Sequence, residues 1–549
     1  MTARRALALG LTALLPLVLA LPLLVALPAA SDPTTATTST PAARGQARPN
    51  IVLFLVDDMR ADEMKFMPKT RRWIGQGGVT FDNSFAPNPL CCPARSSILT
   101  GLYTHSHQVY SSAAGFGFHA FRDGNTLPVW LRRAGYRTNY LGKYLNGYGP
   151  KPPHGRDSGK SLHYVPPGWT NWLGSIDGGL PASDPDNGGT YRFMDTTLSD
   201  NGRGFRNYAG RYQTDVYGDL ARGIVRRQAP GDRPFFLHLS FAAPHHGGPV
   251  EPDDPPRQVR SDGKRYRIVT TARPPRVRGM FDDVITESPG HSWNDPDFSD
   301  KPRYLRNPAL TDREWRAVRE AARQRAEALW VVDQQVDRVM TALRSSGDLS
   351  NTLVMFTSDN GYFLGEQRKR QNKAWPHEPA LRVPMLVRGP GIPQGEVRHD
   401  PITSIDLAPT FAAAARVETR ADVEGVSLLG VARNGDRGWT RAILTESGPR
   451  FGIRRGTDLN GGPREPGERG DPRFLIGVRT PRYLYVDVAT GEEELYDLQV
   501  DPKEYANVAD DPGYADVRAL LRAELQRVRG CERQACAAPM DPALQGPAG

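Results

Sequence analysis

The sequence is poor in cysteine. Only four occur in 549 residues, Cys91, Cys92, Cys531 and Cys536, which excludes a scaffold stapled by many disulfides. The Cys531/Cys536 pair could form one disulfide in an oxidising compartment, and the tail around it has too few ligands for a metal site. Beyond the first 30 residues no segment is apolar enough to cross a bilayer, so no stable membrane partner is expected. Internal repeats are absent. No nucleic-acid-binding motif occurs, and the basic residues behind the net charge of +9 are spread along the chain. That charge favours an acidic polymer, sulfated or phosphorylated, over nucleic acid.

Hydrophobic residues make up 39% of the chain and aromatics 9%, enough for a folded core, and 549 residues exceed what a single core usually serves. One large domain plus a smaller one is therefore expected, with 48 prolines and 55 glycines supplying turns and long loops. Residues 1–30 read as a signal peptide, with Arg4 and Arg5 at the start, an apolar run from Ala6 and small Ala29-Ala30 as a cleavage site. The expected location is secreted, extracellular. A retained membrane anchor is the alternative, against which Pro16, Pro22 and Pro28 weigh. Residues 31–48, rich in Thr, Ala and Pro, read as a flexible linker.

After the linker, strand-like and helix-like runs alternate, the pattern of an α/β domain with a largely parallel central sheet. Asn50 to Val56 is apolar after its first residue, as a strand buried on both faces should be. Thr126–Ala134 reads as a helix before a strand at Arg137–Leu141, Tyr212–Arg227 as a helix, and Phe235–Phe241 as a strand. Thr311–Leu343 is the clearest long helix, with Thr311 and Glu314 forming a capping box and Gly347 ending it. From about residue 430 the runs become short and extended before a final helix near Asp516–Val528. The expected division is a catalytic domain over 49–430, a small α+β subdomain over 431–530, and a tail over 531–549.

Two acidic clusters stand out because each follows a strand. Asp57-Asp58 comes after Val56, and Asp359-Asn360 comes after the run Leu353–Phe356. Open α/β sheets place their sites at carboxyl ends of strands. The four side chains offer oxygen ligands suited to one hard divalent cation, Ca²⁺ before Mg²⁺. Taken singly, each pair reads equally as a turn former or helix cap. Cys91 lies four residues before Arg95, at a helix entrance, as a candidate nucleophile.

Cys91-x-Pro93-x-Arg95 followed by Leu99-Thr100-Gly101, with Asp57-Asp58, Gly142-Lys143 and Ser358-Asp359-Asn360-Gly361, resembles the type I, formylglycine-dependent sulfatases of the alkaline-phosphatase superfamily. The doubled cysteine, Gly142-Lys143-Tyr144-Leu145-Asn146 and Pro166-Pro167-Gly168-Trp169 look most like the glucosamine-6-sulfatases and their extracellular heparan-acting relatives. The similarity runs from about 49 to about 430, with a weaker echo in Glu494–Leu498 and Asp501-Pro502. It implies a large mixed, mostly parallel sheet flanked by helices, and a small C-terminal domain with a four-stranded antiparallel sheet.

The resemblance further implies that Cys91 is converted by a formylglycine-generating enzyme to Cα-formylglycine, whose hydrated aldehyde is the nucleophile and a ligand of the cation. The Pro93 and Arg95 spacings fit Cys91 and not Cys92, with Ala94 standing where the family usually has Ser. Arg95 would stabilise the deprotonated diol, Lys143 and Lys373 would bind sulfate oxygens, His245 would protonate the leaving alcohol, and His246 would touch substrate. Where many arylsulfatases carry a histidine two residues after the first lysine, this chain has Leu145, so no elimination base is assigned, and the role of His377 stays open. The implied activity is hydrolysis of a sulfate monoester on a 6-O-sulfated N-acetylglucosamine-like glycan or an aryl sulfate. A phosphonate or phosphate ester hydrolase of the same superfamily, or a non-catalytic glycan-binding protein, are the rivals. Basic residues between Pro249 and Leu305, with His154, Trp169 and Trp172, could rim a pocket for a charged sugar, or could equally be surface or core.

Overall fold

In a computed structural model of the protein, residues 48–112, 116–448 and 473–545 are described; the expected signal peptide and all but the last residue of the linker lie outside them. Ten strands make the central sheet: β1 (Asn50–Val56), β2 (Val79–Phe81), β3 (Arg137–Lys143), β4 (Asn171–Ser175), β5 (Thr197–Asp200), β6 (Gly204–Asn207), β7 (Phe235–Ser240), β8 (Thr352–Ser358), β9 (Met385–Arg388) and β10 (Glu396–Arg398). Their order is β10-β2-β9-β8-β1-β7-β3-β4-β5-β6. The middle five, β8-β1-β7-β3-β4, are all parallel. Antiparallel pairs occur only towards the edges, at β8-β9, β9-β2, β4-β5 and β5-β6.

Helices cover both faces, and β1 shows why its sequence has no polar alternation. Its side chains alternate between two cores. The helices that matter here are α1 (Cys91–Thr100), α2 (Leu127–Arg133), α3 (Gln213–Gln228), α4 (Asp312–Ser345), α5 (Leu407–Ala415) and α6 (Ala515–Val528). Ile51, Leu53 and Leu55 pack with Trp130 and Leu131 of α2 and Phe411 of α5. Val52, Phe54 and Val56 pack with Val216 and Ile224 of α3 and with Leu329, Val332 and Val336 of α4. All six strand residues are fully buried, each worth about 1.5–3 kcal/mol against exposure. The expected capping box of α4 is present: Glu314 N donates to Thr311 Oγ1 at 3.3 Å, and Thr311 N to Glu314 Oε2 at 2.8 Å.

A separate antiparallel sheet follows, β11 (Ile443–Ser447), β12 (Leu475–Arg479), β13 (Tyr483–Val488) and β14 (Glu493–Asp497), in sequential order. Leu521, Leu525 and Val528 of α6 pack against Ile476, Val478 and Tyr485, in a cluster that also holds Phe85, Tyr103 and Ile405 of the first part. Cys531 and Cys536 are joined by a disulfide. His105, just after α1, is tied to this sheet through Glu446 Oε1 at 3.0 Å and the Cys531 carbonyl at 2.8 Å.

Burial alone would lower the His105 imidazole, but Glu446 beside it prevails and pushes it up to about 9. A raised basic pKa stabilises the fold fully below the ordinary value of 6.5 and ceases to do so as pH rises through 9. Thermal unfolding of the parent should therefore lose on the order of 2 kcal/mol between those pH values that His105→Gln does not lose. Parallel pH profiles for parent and variant would show that this pair does not secure the sheet.

Candidate active site

The carboxyl ends of the parallel strands bring the two acidic clusters together. Asp58 sits at φ 70°, in the left-handed region, a conformation that costs a non-glycine residue about 1–3 kcal/mol unless its surroundings impose it. They do: its N–H donates to Asp359 Oδ1 at 3.1 Å, its Oδ1 accepts from Asn360 Nδ2 at 2.7 Å, and Met59 N donates to Ser358 Oγ at 2.9 Å. On the far side of β7, Gly142 adopts φ 109°, and a Cβ there would fall 2.0 Å from the Ser240 carbonyl oxygen. Only glycine lets β3 pass this close and deliver Lys143. Cys91 is the first residue of α1, at the positive end of a ten-residue helix.

All the expected catalytic side chains are buried around the Cys91 sulfur. Asp57 Oδ1 lies 3.3 Å from it, Asp58 Oδ1 3.9 Å and Lys373 Nζ 2.8 Å. Lys143 pairs with Asp57 and Lys373 with Asp58. Arg95 donates from Nε to Asp359 Oδ2 at 2.7 Å and from Nη1 to Ser240 Oγ at 2.7 Å and the Lys143 carbonyl at 2.9 Å. Burial works to raise the carboxyls, but Lys143 beside Asp57 and Lys373 beside Asp58 hold them well below the usual carboxylate range. Burial followed by the charge of Asp57 pushes the Cys91 thiol well up, so an ordinary thiolate is disfavoured there.

His245 follows β7 and the cis Ala243-Pro244 bond. Its Nδ1 lies 2.7 Å from the His246 carbonyl, so that nitrogen carries the proton, and Nε2 lies 3.7 Å from Asp58 Oδ2. Burial lowers its pKa to about 3 in spite of Asp57 and Asp58. His246 is exposed beside it, with the rings 4.1 Å apart.

The carboxylate and amide oxygens at the site suit a hard cation. One ligand atom each from Asp57, Asp58, Cys91 and His245 lies within 4.8 Å of the others. Asp58 Oδ2 and Asn360 Oδ1 are buried without any hydrogen-bond partner, and buried oxygens left unpaired are costly unless something positive takes them. Asp359 differs from the expectation of a simple ligand, because Oδ1 already accepts from two backbone N–H groups and Oδ2 from Arg95.

Several groups at the site were not picked out by sequence reasoning. Arg325 of α4 donates through Nη2 to the Asp58 carbonyl at 2.5 Å and through Nη1 to the Pro244 carbonyl at 3.4 Å, while Glu63 fixes it at 2.7 and 2.8 Å. One guanidinium thus holds both the left-handed Asp58 and the loop leading to His245. The Tyr191 ring lies 4.6 Å from His245 and 5.2 Å from Lys143 Nζ, and its hydroxyl accepts from Asn146. Asn146 N in turn donates to Cys92 Sγ at 3.1 Å, which makes Cys92 a buried support. No local pattern marks Arg325 or Tyr191; the one available signal was that Asn146 follows the unusual Leu145. Of the alternatives open for the tryptophans, the structure has core. Trp169 and Trp172 are buried against Tyr140, at 5.1 and 4.7 Å, because flat rings fill the space under β3 and β4. His154 is exposed and bonded to the His119 carbonyl.

Residues 49–417 match the sequence model of the family described as Sulfatase. The extracellular sulfatase SULF-1 homolog of Drosophila melanogaster is 31% identical over 420 residues, covering 74% of this chain and 33% of that protein. The chain therefore spans about a third of that relative's length. Human (Homo sapiens) N-acetylglucosamine-6-sulfatase is 29% identical over 530 residues, 90% of this chain and 87% of its own. Among solved structures, BT4656 in complex with its substrate D-glucosamine-2-N,6-O-disulfate shares the fold, with a TM-score of 0.63 at 22% identity over 87% of this chain and 97% of that one.

If Arg325 holds the Asp58 loop in a cation-binding conformation, Arg325→Met should weaken divalent-cation affinity by about 10–100-fold in calorimetry, the usual scale for a group supporting a metal ligand. Arg325→Lys should recover part of it. Unfolding curves in chelator report whether each variant is folded; a folded Arg325→Met that binds the divalent cation like the parent would refute the role.

Proposed function

Because the chain belongs to the sulfatase family, we propose that it is an exported enzyme hydrolysing sulfate monoesters, with a 6-O-sulfated amino sugar in a glycan as its substrate. The observation that carries this reading is the gathering of three buried cations at Cys91, with Lys373 against its sulfur and Lys143 and Arg95 on the adjoining Asp57. A sulfate ester resists attack because its anionic oxygens repel nucleophiles, so cation density must come first. The likeness to N-acetylglucosamine-6-sulfatase along most of both chains supports the sugar.

Cys91 stands in for formylglycine, its sulfur marking where the hydroxyl oxygens of the modified residue belong. When formed, the hydrated aldehyde supplies an oxygen nucleophile that can release sulfate by collapsing back to the carbonyl, an exit denied to a thiol. Cys91, Pro93 and Arg95 are all buried within α1, so the modifying enzyme has to read them before the chain folds. Asp57, Asp58, Asp359, Asn360 and the modified Cys91 would hold a divalent cation, Ca²⁺ by its preference for oxygen donors. Such an ion supplies positive charge for the ester oxygens and the nucleophile.

Lys143 and Lys373 bind the non-bridging sulfate oxygens, and Arg95 favours the ionised nucleophile. His245 delivers a proton to the leaving oxygen. Its Nε2 faces the site with no proton in the resting state, and the negative charge of a bound ester draws one there. His246, exposed beside it, contacts the sugar. Leu145 is buried in the apolar core and takes no part.

Peptide mass spectrometry should find the aldehyde at Cys91 and an intact thiol at Cys92, and Cys91→Ala should abolish turnover; modification at Cys92 instead would sink the assignment. Comparison of sulfate with phosphate monoesters and phosphodiesters should favour sulfate. Loss of a general acid costs about 10²–10⁴-fold, and more for basic leaving groups. Rates of His245→Ala should therefore fall more steeply with leaving-group pKa than those of the parent. Equal slopes would remove His245 from that role, and a steepened slope in His246→Ala alone would move it one residue on.

A further inference from the structure

The segment from Pro249 to Met280 carries four acids and eight bases, and the structure shows which of these are engaged. Glu251 pairs with Arg273 and Arg278, Asp253 with Arg273, and Asp262 with Arg260. Asp254 accepts from Thr270 Oγ1 at 2.6 Å. Arg276 pairs with Asp215 outside the segment. Among the described residues, Arg257, Lys264, Arg265 and Arg267 are left with no ion-pair partner, and all four are exposed. They cluster on one hairpin, whose strands Gln258–Val259 and Arg265–Tyr266 pair antiparallel. Arg313 is a fifth exposed cation beside them, donating to the Arg257 carbonyl at 3.1 Å.

This hairpin is fixed, and it is fixed next to the site. Tyr266 hydrogen-bonds Glu314, and Ile268 is buried with Trp315 and Val318 at the start of α4. Val269 N donates to Gln371 Oε1 at 3.0 Å, two residues before Lys373. Gly247 N donates to the Thr270 carbonyl at 3.0 Å and Ala272 N to the Gly247 carbonyl at 3.1 Å, directly after His246. Arg267 is three residues from Thr270, so its backbone lies within about 10 Å of that contact. A spare positive surface therefore leads away from the rim that carries His246 and the Lys373 loop.

We propose that the hairpin binds the sulfate or carboxylate groups of a polymeric glycan beyond the ester being cleaved, so that the enzyme acts on a polyanionic chain in preference to a small ester. This rests on the sulfatase reading above. Unpaired exposed cations held in fixed positions attract a chain of anions over about a Debye length of 10 Å at moderate salt. They do little for an aryl sulfate, whose single charge is taken by the inner lysines.

The test compares kinetics of the parent with the quadruple variant R257Q/K264Q/R265Q/R267Q and with the single Arg267→Glu, on an aryl sulfate and on a heparin oligosaccharide, at several NaCl concentrations. For the oligosaccharide, KM should rise at least about tenfold in the quadruple variant with kcat unchanged, and the fall of kcat/KM with salt should flatten. Arg267→Glu should move the same way to a smaller extent. Aryl sulfate kinetics should stay within about twofold. Unchanged oligosaccharide kinetics, or equal losses on both substrates, would overturn the proposal. Should the converted parent turn over neither ester, the sulfatase reading fails, and binding of the labelled oligosaccharide by anisotropy then decides the hairpin: weaker binding by the variant supports it, equal binding overturns it. Tighter binding to a DNA duplex than to the oligosaccharide at equal salt would overturn the glycan assignment.

Discussion

Three carboxylates, of Asp57, Asp58 and Asp359, are buried beside three cations, Lys143, Lys373 and Arg95. Each of these charges would be intolerable alone in that position, and removing one partner of such a pair typically costs about 3–5 kcal/mol. The six come from β1, β8, β3, α1 and the loop after β8, so their mutual neutralisation demands that all these elements end at one place. A parallel sheet achieves this because its strands point their carboxyl ends the same way. The continuous apolar runs of β1 and its neighbours follow from the same requirement, since a sheet covered by helices on both faces needs both faces apolar.

The neutral set also bears on the proposed cation. While Lys143 and Lys373 answer Asp57 and Asp58, they are not free to answer an anionic ester. A divalent cation on the aspartates would relieve the lysines of that task, and Asp58 Oδ2 and Asn360 Oδ1 are buried oxygens with no hydrogen-bond partner. In the resting structure, then, the same contacts that stabilise the site also occupy it.

Much of this was readable in the chain because the chemistry lies in short segments at strand ends. Asp57-Asp58 and Asp359-Asn360 follow apolar runs, and the Cys91 to Gly101 motif carries its own spacing. The long helix α4 announced its start through Thr311 and Glu314. What escaped was everything set by tertiary approach. Arg325 is one arginine among many on α4, and nothing in the helix period separates a guanidinium that clamps the Asp58 and Pro244 carbonyls from one in water. Trp169 and Trp172 stayed open between pocket rim and core, because residue type alone does not tell which neighbours a large ring meets. Tyr191 lies in a loop between β4 and β5, where no periodicity exists to read. The spare charge on the hairpin emerges only after each acid has been matched with its partner in space.

The antiparallel sheet near the C-terminus has a mechanical part in the same constraint. Lys373 is delivered by a loop without regular structure, and such a loop needs a wall. Ala374 N donates to the Pro89 carbonyl at 2.9 Å, just ahead of Cys91, and Lys369 Nζ donates to the Lys373 carbonyl at 2.7 Å while lying 3.4 Å from the centre of the Trp375 ring. Behind them, His377 lies 3.0 Å from Glu494 of β14, and Glu378 pairs with Arg479 of β12 at 2.7 Å. Glu378 N also donates to Glu504 Oε1 at 3.1 Å. Residues encoded more than a hundred positions later thus back the loop that carries Lys373. The strand ends alone would still gather Asp57, Asp58 and Lys143, but the opposing charge on Asp58 would lose the support that keeps it in place. The small sheet is therefore bound to the chemistry by electrostatic need as well as by packing.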